Sequence, residues 1–515
     1  MKYLAVLALL FISSTPATAQ EPAVDDSDQP SWVAEKKLYE EISSLMQTPN
    51  PSLDRLDAAL AQLPDPTPVR GMVQTMRTKV LGEARQQDAA IEAVEEAMVL
   101  LPDNPLPKLF ATSLFTFSGS PQRAAELWLT ASQEAPELAK QFDQYTLSAL
   151  LGRLDDLGDH RLIDKVNARL DEIGYDAGLE SDRSAAALGR TYEALRAGNE
   201  DKAIQLIAEV SNPDDLLTLY VDRRYAMLWP AIADRAGTDF SGLSREYLTK
   251  LREEWQASQD FSTAQAYLSA LSRRHADRAV VELFLPILVD STTDAEAEEQ
   301  WKLVQLVPPT TTAMVRIGQA EDALTTLARL DAAFPENMGG NELNIDAAYI
   351  MLAQHRLDWP KVLEWSDGFL TQAKELGYSV NQSATAEVQA LRICALSEMG
   401  REEEAQKSIA ELLGQGTKLA HPVLNMLLCR GDMEQARAFL IERLADDKTR
   451  SLALGVVQPA AAPALTPFER MMEPRWQALR RAPDVRAAAE KVGRILPQPV
   501  LQTLPEGFDP YPPSE

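Results

Sequence analysis

The sequence predicts an all-α chain, an α-solenoid of stacked helix–turn–helix repeats, and two observations carry that prediction. Ala90, Val94, Ala97 and Pro102 return as Ala124, Trp128, Ala131 and Pro136, each shifted by 34 residues. The same small–large spacing, preceded by a glycine, returns at Gly318, Ala323, Leu327 and Pro335, at Gly400, Ala405, Ile409 and Leu412, and at Gly431, Ala436 and Leu440.

Residues four and three apart share one face of a helix, so Ala90, Val94 and Ala97 form a single small–large–small stripe. Small residues let a neighbouring helix come close, and the larger one fills the gap that an alanine seam would leave. Pro102 stops that helix, having no N–H and a ring that clashes with the preceding turn. Asp103 and Asn104 then suit a turn and the N-cap of the next helix. Gly119, five residues before Ala124, accepts the left-handed geometry of a turn between helices. The period and these residue types resemble the tetratricopeptide (TPR) family, whose unit is a 34-residue helix–turn–helix. The resemblance covers about two-thirds of the chain, with degenerate units between. It implies an exported bacterial TPR-like protein once the N-terminus is taken into account.

That N-terminus reads as a signal peptide over residues 1–19. Lys2 gives the positive start, 3–12 the apolar run, and Ala17-Thr18-Ala19 the small-residue cleavage site. The apolar run is too short to span a membrane, so the expectation is a periplasmic or secreted protein cut after Ala19. Residues 20–31 are acidic with Pro22 and Pro30 and read as a flexible leader. N-terminal helical repeats are expected over 32–290, with a first helix from Trp32 to about Gln47. That helix and Leu53 to Leu63 make the first pair, with a second from about Val69 to Leu101 and a third from Pro105 to Ala135. Leu188-Gly189-Arg190-Thr191-Tyr192 and Gly198 mark a further unit, and Asp260-Phe261 and Asp358-Trp359 place an aromatic ring at two inter-helix turns.

Between about 211 and 310, Pro213, Pro230, Pro286 and Pro308-Pro309 interrupt the helical reading, and an acidic run lies at 294–299. A bend or subdomain boundary is therefore expected at 291–312, with two separate arrays joined there as the rival. C-terminal TPR-like repeats follow at 313–460. Residues 461–495 read as a helical cap, because a terminal repeat must cover its apolar face. The cap and the earlier stretch share one phrase, Arg475-Trp476 with Leu479 and Arg224-Tyr225 with Leu228. Six prolines from Pro497 onward make 496–515 a proline-rich extended tail.

Composition narrows the partners. With 77 acidic against 50 basic residues the formal charge is −27, which opposes binding of nucleic-acid phosphates. Two cysteines, Cys394 and Cys429, exclude a disulfide scaffold and argue against a cysteine metal site. They fall on the first helices of adjacent units. Two readings stay open, a disulfide and a pair of buried free thiols, the second favoured.

The chain carries no phosphate loop, serine elbow or zinc-helix motif. His355-Arg356-Leu357-Asp358 has the outline of a kinase phrase without the other kinase parts. His160, His275, His355 and His421 are far apart in sequence and read as surface or turn residues rather than metal ligands. Catalytic, cofactor and metal sites are accordingly expected to be absent. In stacked pairs the first helices line the inner face, which points to Arg316, Asn344, Gln354, His355, Glu387 and Asn425 as binding residues suited to an extended peptide. A basic cluster at Arg273, Arg274, His275 and Arg278 reads first as a cationic helix terminus and second as a site for an anionic envelope component. The expectation is a non-enzymatic periplasmic scaffold or adaptor for a protein or peptide partner, with envelope assembly as one setting. The alternative is a helical enzyme or enzyme subunit acting on cell-wall polysaccharide, for which glycan would be the partner.

Overall fold

The computed structural model describes residues 52–511 apart from 85, 176–177, 259, 295–302, 335–338, 378–379 and 415–419. The expected signal peptide, leader and first helix lie outside the described residues, as does Pro335. The chain is an all-α solenoid of TPR-like helix pairs and divides into two compact units, residues 1–176 and 177–515.

The first unit is built from α1 (Leu53–Ala61), α2 (Pro68–Glu83), α3 (Gln87–Leu100), α4 (Pro105–Phe117), α5 (Pro121–Glu134), the short α6 (Pro136–Ala139), α7 (Gln144–Leu157) and α8 (His160–Ile173). The repeat positions do what their spacing requires: Ala90, Val94, Ala97, Ala124, Trp128 and Ala131 are all fully buried. The Asn104 side chain accepts the Leu106 N–H at 3.0 Å and caps α4, and Gly119 takes φ 85° in the turn before α5. Leu357 (φ 61°) and His275 (φ 51°) make the same kind of turn without glycine.

The second unit runs through α9 (Glu180–Arg196), α10 (Glu200–Leu206), α11 (Pro213–Val221), a 3₁₀ turn at Arg223–Leu228, α12 (Trp229–Ala236), α13 (Ser241–Ser258), α14 (Phe261–Arg273) and α15 (Asp277–Asp294). It continues through α16 (Val307–Arg316), α17 (Ala320–Ala333), α18 (Leu343–His355), α19 (Trp359–Leu376), α20 (Gln382–Glu398), α21 (Glu402–Gly414), α22 (Ala420–Arg430), α23 (Met433–Ala445), α24 (Arg450–Val456), α25 (Pro467–Arg481) and α26 (Pro483–Val492).

Three sequence readings are corrected here. Pro213, Pro230 and Pro308-Pro309 do not break helices. They sit in the first turns of α11, α12 and α16, where the missing N–H costs nothing. Residues 295–302 of the boundary expected at 291–312 lie outside the described residues, and on either side of them Phe284 and Leu288 share one core with Leu303, Val304 and Leu306. The division falls after residue 176 instead. The cysteines are bridged, Cys394 to Cys429 with Cα atoms 5.8 Å apart, rather than two buried thiols. Adjacent first helices approach closely enough at this point for the side chains to meet.

The second unit closes on itself. An isolated antiparallel bridge joins Asp222 to Gly493, and the Arg494 N–H donates to Val221 O at 2.9 Å. Asp222, fully buried, accepts from Arg224 at 2.6 Å and from Ser451 at 2.8 Å. Burial alone would raise its carboxyl, but hydrogen bonds from the Arg224 side chain and backbone and from Ser451 hold it below the ordinary carboxylate value. The Arg494 guanidinium lies 3.3 Å from the Trp229 ring centre and 4.3 Å from that of Tyr220, a cation–π clasp. Beyond it the tail folds back along α13 to α15. Leu504, Phe508 and Tyr511 pack on that core, and Tyr267 Oη donates to Pro510 O at 2.7 Å.

Candidate functional site

First helices of successive pairs in the second unit, α16, α18, α20 and α22, form one face, and the polar residues singled out from the sequence sit on it. The chain's own α25 lies against α18 and α22 on that face and reaches α16 through Arg316. Arg316, at the end of α16, is buried and pairs with Asp277 at 2.9 Å and with Glu469 of α25. His355, at the end of α18, shares a 3.0 Å hydrogen bond between its Nδ1 and the Thr466 hydroxyl. Burial, and next the Arg316 charge, press the His355 pKa down to about 4, so its ring is neutral near pH 7.

Along α22, His421 stacks on Trp476 with ring centres 6.1 Å apart. Asn425 Nδ2 donates to Glu387 Oε1 at 2.8 Å and lies 3.2 Å from His421 Nδ1. Arg475 Nη1 donates to Leu428 O at 2.9 Å and also to Cys429 O, so α25 holds the carbonyl end of α22 beside the disulfide. The apolar side of α25 runs from Phe468 to Leu479, with Met471 and Trp476 partly buried along it. Phe468, Met472 and Leu479 are buried, with Phe468 edge-on to His355 and Trp359.

Thus Arg316 and His355 touch α25 directly, while Glu387 and Asn425 reach it through His421. Gln354 is buried on the same helix as His355. Asn344 Nδ2 donates to Asn341 O at 3.0 Å, within the turn that opens α18. This face carries a helix of the chain itself, the first half of the 461–495 segment expected to cap the array, while α26, its second half, packs on α23, the second helix of the last repeat pair. The physical reason is that an amphipathic helix presents several side chains to the row of first-helix ends at once.

Of the basic cluster, Arg273 and Arg278 are exposed and Arg274 points inward. Arg274 is buried and bonds to Ser244 Oγ at 3.0 Å, Ala270 O at 3.1 Å and Asp214 at 3.2 Å. A guanidinium spent on these three acceptors ties α11, α13 and α14 together and does not face an anion.

Sequence reading missed Thr466 and Glu469, although Thr-x-x-Glu before a helix is a legible capping box, and here both of its hydrogen bonds form. Asp277, Asp222 and Gly493 carried no local signal. Among the described residues no group of three or more His, Cys, Asp or Glu is placed to hold a metal ion, and no helix is long and apolar enough to cross a membrane.

No known family model matches the chain, and no curated protein does. Among solved structures it is similar to a chain of "Structure of Naa15/Naa10 bound to HypK-THB", at 12% identity, covering 89% of this chain and 80% of that one. The TM-score is 0.22, so that likeness carries no argument about function.

Proposed function

We propose that the protein is a non-enzymatic helical-repeat scaffold, exported to the periplasm, that binds a protein partner. The observation that carries this reading is the helix lying on the first-helix face of the second unit. The face grips it by side-chain-specific contacts, Arg316 to Glu469, His355 to Thr466 and His421 to Trp476, which is the helix-in-groove mode of recognition. Export is supported by the signal-like residues 1–19 and, independently, by the Cys394–Cys429 bridge, since disulfides persist in oxidising compartments.

The test is crosslinking in the native envelope, followed by capture of the tagged protein and mass spectrometry. The expected result is one protein recovered in comparable amount, from a periplasmic fraction, with the mature chain starting at Gln20. Soluble wall fragments released by the purified protein, with no crosslinked protein, would overturn the reading in favour of a cell-wall enzyme. Recovery of the chain in the cytosol starting at Met1 would overturn export.

A further inference from the structure

We propose, building on the scaffold reading, that the first-helix face of the second unit is the receptor for an amphipathic helix of the partner, and that α25 is a stand-in that this helix displaces. The partner chemistry is written in the contacts. A hydroxyl residue caps the helix and meets His355 as Thr466 does, an aromatic two positions on fills the Phe468 place, and an acid at the third position pairs with Arg316 as Glu469 does. Met or Leu at the Met472 and Leu479 places and Arg at the Arg475 place complete it, the last donating to the Leu428 and Cys429 carbonyls.

Four features make α25 a removable occupant rather than a core helix. Phe468, Met472 and Leu479 are its buried side chains, with Met471 and Trp476 partly buried, against nine buried on α20. Pro474 stands inside it, leaving the Arg470 carbonyl without its helical N–H partner. The preceding 459–465 is outside any helix and alanine- and proline-rich, and Leu465 at its end is exposed. Both flanks are anchored independently of α25. Gln502 bonds Ala461 N at 2.6 Å and Pro459 O at 3.0 Å on one side, and the Gly493–Arg494 clasp holds the other. The helix can therefore leave the face while the closure of the unit stays made.

The acid at the third position is the selective element. Arg316 is buried beside Asp277, and an incoming helix without a carboxylate there would leave half of its guanidinium without a charged partner.

The experiment uses the full chain and, as probe, a fluorescein-labelled synthetic peptide spanning residues 464–482, read by anisotropy. Phe468→Ala in the chain weakens the internal helix and is expected to bind the probe at least tenfold more tightly than the wild-type chain. Adding Arg316→Glu in that background should reverse the gain at least tenfold. Equal probe binding by wild type and Phe468→Ala, with both folded by circular dichroism, would overturn the proposal. Should Phe468→Ala fail to fold, amide hydrogen exchange on the wild-type chain decides. Amides of α25 exchanging at least tenfold faster than those of α18 and α20 support displacement, and equal protection overturns it. A wild-type chain that sediments as a dimer exchanging α25 between copies would also overturn it, because the occupant would then be a second copy. A crosslinked partner whose binding is indifferent to the probe refutes this inference and leaves the scaffold reading. Probe binding with no partner in the envelope does the reverse.

Discussion

Replacing Gly493 by alanine tests the closure of the second unit at its tightest point. The backbone there is extended (φ −162°, ψ −153°), so a side chain meets no backbone strain. The cost is contact alone. A Cβ would stand 2.3 Å from Val221 O and 2.7 and 2.8 Å from the two Leu454 methyls. Leu454 is buried, and Val221 O already accepts the Arg494 N–H at 2.9 Å. Relieving the clash needs a shift of roughly 1 Å, taking a normal C···O contact to be above 3 Å, and that shift stretches the hydrogen bond and disturbs the Asp222 pocket. Overpacking of this kind costs about 1–3 kcal/mol, and a lost backbone hydrogen bond about 1 kcal/mol more. Taking about 3 kcal/mol together, an unfolding entropy of about 2 cal/mol/K per residue over roughly 340 residues gives a fall in Tm of about 4 °C. Calorimetry on wild type and Gly493→Ala, with the transition of the second unit assigned by Trp229 fluorescence in a single-tryptophan background, measures it. An unchanged midpoint would refute the reasoning, because a Cβ cannot share space with a carbonyl oxygen.

The remaining predictions concern the repeat seam, a buried acid and the cysteines. Ala97→Leu and Ala131→Leu place three extra carbons in fully buried seams and should each cost the first unit about 1–3 kcal/mol in urea unfolding; unchanged midpoints in both would undo the repeat register. Burial, helped by neighbouring Asp214, pushes the Asp215 pKa up to about 6. Because the folded value lies above the unfolded one, Asp215 does not destabilise the fold below about pH 4, destabilises it increasingly as pH rises towards 6, and reaches its full effect above that. Asp215→Asn should therefore stabilise by about 1–2 kcal/mol at pH 7.5 and much less at pH 4.5, with equal gains at both pH values counting against it. Mass measurement after alkylation should show no labelled cysteine without reductant and two with it. Removing the bridge, which spans 35 residues of sequence, should cost about 3–4 kcal/mol on the loop-closure argument.

The sequence by itself determined the repeat unit, because everything that makes it is local. Ala90, Val94 and Ala97 lie within two turns of helix, Asn104 caps the helix it precedes, and Gly119 supplies a turn that needs φ > 0. Side-chain spacing, capping and turn geometry act over fewer than ten residues, so they can be read from one chain. The site was half legible for the same reason. The first-helix positions of Arg316, His355, Glu387 and Asn425 follow from the register, whereas the identity of what they meet does not.

Only the tertiary structure decided the rest. Pro213 and Pro308 read equally as breakers and as first-turn residues until the neighbouring helices are in place. Asp222 and Gly493 are 271 positions apart (493 − 222) and meet only after the small rotation between successive pairs has accumulated around the second unit. The same accumulated curvature brings Thr466 to His355 and Glu469 to Arg316, across 111 and 153 residues. No periodicity encodes that sum, so the packing of α25 on the first-helix face could be seen only once the second unit was closed.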